Sequence, residues 1–125
     1  MKTTKEVAEY LQIDETGLNI TGVPENEIKR LNAFYWLTKA VEAINKKHNG
    51  GETWQALHDG KQRHHEVYFV KNKDAAGFRF SNSFLDWSFT FSIVGPRLEF
   101  CSYAAGDEFG ASEEFVQLWN DALVH

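Results

Sequence analysis

The sequence is poor in cysteine, proline and methionine, and it has no long apolar run. It contains one cysteine, two prolines and one methionine in 125 residues. Cys101 stands alone, so no internal disulfide can form, and the N-terminus lacks the apolar stretch of a secretory signal. No run approaches the roughly 18 apolar residues that a membrane-spanning helix needs. We therefore expect a soluble, cytoplasmic protein that makes no contact with a membrane.

Basic residues are scarce in the C-terminal part of the chain. Residues 1 to 75 carry 11 Lys/Arg and 11 Asp/Glu, whereas residues 76 to 125 carry only Arg79 and Arg97 against seven acids. The formal net charge of −5 therefore arises in the second segment. An acidic chain without a basic cluster repels the phosphate backbone, which disfavours nucleic acid as a partner.

The chain does hold enough apolar material for one core. Apolar residues make up 42% of the sequence and aromatic residues 14%, a composition that argues against disorder. A chain of this length buries roughly two-thirds of its unfolded surface when it folds. Since there is no internal repeat or linker-like tract, residues 1–125 are predicted to form a single domain.

Two helices are predicted in the first part of the chain. Thr3 or Thr4 can cap a short helix that runs to Leu11. Pro24 followed by two acids predicts the start of a long helix, and the Asn-Gly-Gly sequence at 49–51 predicts its end. Its apolar positions recur at threes and fours, which predicts that they share the core-facing side: Ile28, Leu31, Phe34, Tyr35, Val41 and Ile44.

Strands are predicted from His65 onward, because the apolar period there changes to two. Residues 66–70 and 77–80 fit two strands joined by a turn, and Gly-Pro at 95–96 turns the chain into a strand over 97–101. The clearest alternation lies between them, with these residues on one face: Trp87, Phe89, Phe91 and Ile93. Together these patterns predict a three- to four-stranded antiparallel sheet over residues 65–101.

The closing segment has the apolar spacing of one or two amphipathic helices. Ser112 followed by two glutamates suits a fresh helix start after Gly110, so a single helix and a kinked pair both remain open. The residues expected to face the core are Phe109, Phe115, Leu118, Trp119 and Ala122. The sequence thus predicts an α+β fold in which the sheet packs its aromatic face against the long helix and the C-terminal helix.

The polar face of the sheet is the candidate binding surface. Ser88, Thr90 and Ser92 alternate with the aromatic residues, and Arg97 and Glu99 flank them on the next strand. Such a surface can bind a protein partner or a sugar. The alternative is an ordinary solvent-exposed face of a sheet that is covered on its other side.

A histidine cluster offers the only candidate metal ligands. His58, Asp59, His64, His65 and Glu66 lie within nine residues, but adjacent His64 and His65 would point to opposite sides of a strand. Neither a helical i, i+4 pair nor a repeated C-x-x-C motif is present. We therefore interpret these side chains as solvated residues before a strand, and we expect no metal.

No residue pattern predicts catalysis. Cys101 has acidic neighbours that favour its protonated thiol, so we expect it to be inert. The serines lack a G-x-S-x-G elbow, and the glycines form no phosphate-binding loop. The sequence accordingly predicts no catalytic residue and no cofactor.

Two stretches resemble known groups of proteins. Thr4 to Leu11 looks like the first helix of excisionase-type winged-helix DNA-binding proteins, although Gln12 to Val23 holds no basic residue for a recognition helix. From Gly77 onward the chain is similar to small uncharacterised phage- and prophage-encoded proteins of gut bacteria. The residues that carry this second resemblance are Gly77-Phe78-Arg79-Phe80, Trp87, Gly95-Pro96-Arg97-Leu98-Glu99-Phe100, Phe109-Gly110 and Phe115-Val116-Gln117-Leu118-Trp119-Asn120-Asp121.

The second resemblance implies an origin in a mobile element and no mechanism, because that group has no established activity. The favoured function is therefore non-enzymatic interaction with an unidentified protein partner, as an accessory protein of a phage or mobile element. One alternative is a small-ligand or carbohydrate binder, extending to a hydrolase, that uses the polar sheet face. Another is DNA binding through the N-terminal helix. The sequence leaves the oligomeric state open.

Overall fold

The computed structural model describes residues 1–57, 61–71, 78–87 and 98–123, and it confirms the α+β class. Four helices and three strands occupy these residues. In chain order they are α1 (Thr4–Leu11), α2 (Glu25–His48), β1 (Arg63–Lys71), β2 (Phe78–Trp87), β3 (Glu99–Phe100), α3 (Tyr103–Gly110) and α4 (Glu113–Leu123).

Helix α1 begins and ends where the sequence predicts. The Thr3 hydroxyl accepts a hydrogen bond from the backbone N–H of Glu6 at 3.1 Å, which satisfies a free donor of the first turn. The helix ends at Leu11 because Gln12 adopts a left-handed backbone conformation with φ of 57°. Val7 and Ala8 are buried against the rest of the molecule, so this short helix belongs to the core.

Helix α2 also has its predicted bounds. Glu25 and Glu27 lie in the first turn, and the basic residues from Lys46 to His48 occupy the last turn, so both ends complement the helix dipole. Beyond the helix, Gly50 adopts a φ of +68°, a conformation that residues with a side chain rarely take. The residues at the two ends of α2 therefore predict its length correctly.

The predicted core-facing side of α2 is wrong for two of its residues. Leu31 and Phe34 are 43% and 46% exposed, whereas Ile44 is buried as expected. The side that packs against α1, α3 and α4 is built largely on small residues, which let neighbouring helices approach closely. The buried residues of this inner face are Ala33, Trp36, Leu37, Ala40, Ala43 and Ile44.

The strands form an antiparallel sheet in the order β2-β1-β3. Residues pair from Arg63 with Trp87 to Lys71 with Phe78, and the register shifts once between Tyr68 and Phe69. Strands β1 and β2 are longer than predicted, since β1 begins at Arg63 and β2 continues to Trp87. Most of the alternation predicted over 87–93 lies outside the described residues, so the strand number of the whole sheet stays a prediction.

The last two helices cover the sheet. Strands β1 and β2 both contact α3, β2 also contacts α4, and α2 contacts β3. The ring of Phe69 stacks on Trp119 with centroids 4.1 Å apart. Gly110 lies so close to the Phe80 ring that a Cβ atom at this position would overlap it. The C-terminal helix therefore packs on the sheet as predicted, whereas the long helix meets the sheet at β3.

The closing segment forms two helices, which settles the question left open by the sequence. The Ser112 hydroxyl accepts a hydrogen bond from the backbone N–H of Phe115 at 3.1 Å, so Ser112 caps the start of α4 as predicted. Phe109, Phe115 and Ala122 are buried, and Leu118 and Trp119 pack against them. The rings of Phe109 and Phe115 lie 5.6 Å apart at the centre of this core.

Candidate functional site

The predicted binding residues fall into two groups. Ser88, Thr90, Ser92 and Arg97 lie outside the described residues, so their place on a common face stays a prediction. Glu99 lies in β3, half-buried, opposite the buried Glu66 of β1. Its backbone carbonyl accepts a hydrogen bond from Asn45 Nδ2 at 2.9 Å. The main chain of Glu99 thus joins β3 to α2.

The interpretation of the histidine cluster as solvated residues is wrong for two of its members. His65 and Glu66 lie inside β1 and are buried, and the His65 ring packs edge-on against Tyr103 with centroids 4.3 Å apart. His58 and Asp59 lie outside the described residues. Within the part of the chain that the structure describes, no group of three His, Cys, Asp or Glu side chains is placed to hold a metal ion.

The thiol of Cys101 favours its protonated form, as predicted, but burial rather than acidic neighbours is the cause. Burial raises the pKa of Cys101, and Sγ donates a weak hydrogen bond to the Asn45 carbonyl at 3.7 Å. Its backbone N–H donates to Asn45 Oδ1 at 2.8 Å. Because the thiolate is the reactive form, this environment suits a structural cysteine rather than a nucleophile.

A charge cluster joins the end of α2 to α3. Glu108 accepts hydrogen bonds from Lys47 Nζ at 2.8 Å, from the Met1 amine at 3.3 Å and from His48 Nε2 at 3.3 Å when that nitrogen carries the proton. Burial acts to raise the pKa of Glu108, but these donors outweigh it and the pKa is lowered. The Glu108 hydrogen bond raises the pKa of Lys47. These charges therefore stabilise a contact between helices.

An open groove of about 460 Å³ lies beside this cluster, lined by Met1, Glu6, Glu9, Tyr10 and Lys47. Lys47 is already bonded to Glu108, and the other charged side chains of the lining are acids. The groove thus offers no converging donors for an anionic ligand. We assign it no function.

The strongest candidate surface is the outward side of α2. Leu31 and Phe34 lie at helical spacing and are exposed, and the half-buried Ile28 and Tyr35 lie next to them, although Tyr35 also packs against the core. We call these four residues the α2 outer face. Leu31 and Phe34 are the two large apolar side chains most open to solvent in the helix. Isolated exposed apolar residues are common, but adjacent ones form a patch that favours contact with another protein.

Two contacts flank the α2 outer face. The backbone N–H of Leu18 donates to Asn32 Oδ1 at 3.0 Å, which fixes the exposed Leu18 beside the helix. At the other end, Lys39 Nζ lies 5.9 Å from the centre of the Tyr35 ring. Lys39 is paired with Glu42 at 3.0 Å, so the apolar patch ends beside an ion pair.

Sequence periodicity missed this surface because α2 is apolar on two sides. Ile28, Leu31 and Phe34 define one stripe, but Ala33, Leu37, Ala40 and Ile44 define a second stripe with similar spacing, and Ile44 had been assigned to the first. The second stripe was the signal that the first one could lie outside the core. Only one of two opposite stripes can face the core of a small domain.

Comparisons with protein-family models, with curated proteins and with solved structures find no match for this chain. Among the described helices, none combines the length and apolarity required to cross a membrane.

Proposed function

We propose that this chain is a non-enzymatic protein-interaction module, and that the α2 outer face is its contact surface. One observation carries the proposal: Leu31 and Phe34 lie one turn apart, 43% and 46% exposed, on the outward side of a 24-residue helix whose other side is buried. Burial of apolar surface stabilises a complex by about 25 cal/mol per Å² before the costs of association. An exposed apolar helix side is a common recognition element in protein complexes.

The chemical groups near the core support the same proposal. Cys101 is held protonated, and Glu108 is engaged by cations that join two helices. These reactive side chains have structural roles. We further propose that the protein acts in the cytoplasm as an accessory protein of a phage or mobile element, in line with its resemblance over residues 77–121.

Site-specific photocrosslinking in host cells tests the contact surface. A photoreactive benzoylphenylalanine placed at position 34 should give covalent adducts with a protein of defined mass. The same residue placed at position 123 is the control, because Leu123 is 44% exposed on a different helix. Adducts at position 34 and their absence at position 123 would support the proposal. No adduct at position 34, or equal adducts at both positions, would contradict it.

A further inference from the structure

We draw no further inference here: the strongest candidate, the exposed apolar patch of Leu31 and Phe34 on α2, belongs to the contact surface already described, and nothing in the structure shows what covers it.

Discussion

The two faces of α2 both carry large apolar side chains. The buried face combines three alanines with Trp36, Leu37 and Ile44, while the exposed face carries Leu31 and Phe34. Small residues let the neighbouring helices come close, and larger side chains of those helices, such as Phe109 and Phe115, fill the shared core. The size of an apolar side chain therefore does not identify the core face of a helix.

The largest expected difference between the faces comes from removing a leucine from each. Leu37 is buried, so Leu37→Ala should lower the free energy of unfolding by about 3 kcal/mol. Leu31→Ala, in the same helix, should change it by about 0.5 kcal/mol or less. Urea denaturation of both variants measures the difference. Equal losses would contradict the assignment of the two faces.

Adding volume to each face should give the next largest difference. Ala40 is buried among the helices, so Ala40→Leu should destabilise the fold by about 2 kcal/mol through overpacking. Thr38 points to solvent, and Thr38→Leu should change stability by about 0.5 kcal/mol or less. Thermal unfolding of the two variants checks the comparison. A tolerated leucine at position 40 would mean that the helices are not closely packed there.

Near the C-terminal end of α2, β3 packs against the helix, and Asn45 is the helix residue that bonds to it. Asn45→Ala removes two hydrogen bonds to the main chain of Glu99 and Cys101 and should cost about 1.5 kcal/mol. Asn32→Ala removes a single bond to the exposed Leu18 N–H and should cost about 0.5 kcal/mol. Urea denaturation distinguishes them. A larger loss of unfolding free energy for Asn32→Ala than for Asn45→Ala would contradict this position of the boundary.

The smallest effect is expected at Glu108, which belongs to neither face. The pKa of Glu108 is lowered below its ordinary value of 4.5, so its carboxylate stabilises the fold above that pH and the contribution disappears as the pH falls through the lowered pKa. Glu108→Gln should therefore cost about 1 kcal/mol or less at neutral pH and nothing in strong acid. Urea unfolding followed from pH 7 to acid measures this.

The sequence predicts helix ends much better than helix faces. Thr3 and Ser112 cap their helices through local hydrogen bonds, which depend only on residues three positions apart. The faces of α2 depend on distant partners, because the chain order does not show which of two apolar stripes α4 will contact. The same reason explains Glu66, whose burial depends on β3 thirty residues later.

The candidate surface was predicted least well. Glu99 is the one predicted binding residue within the described part of the chain, and its carbonyl holds β3 to α2. The charged side chain of Glu99 suggested a polar binding surface, but the structure shows its backbone carbonyl joined to Asn45 of α2. The α2 outer face was visible in the sequence only as one of two competing stripes, and choosing between them requires the packing of the whole domain.

The Asn45 side chain also has a consequence for how this protein can associate. Its amide bonds the carbonyl of Glu99 and the N–H of Cys101, the two groups that a further strand would use to lengthen the sheet beside β3. Open strand edges invite pairing with other chains and lead to aggregation. Here a helix residue takes the place of that strand. Within the described residues, Asn45 therefore hinders pairing of another strand with the backbone at Glu99 and Cys101.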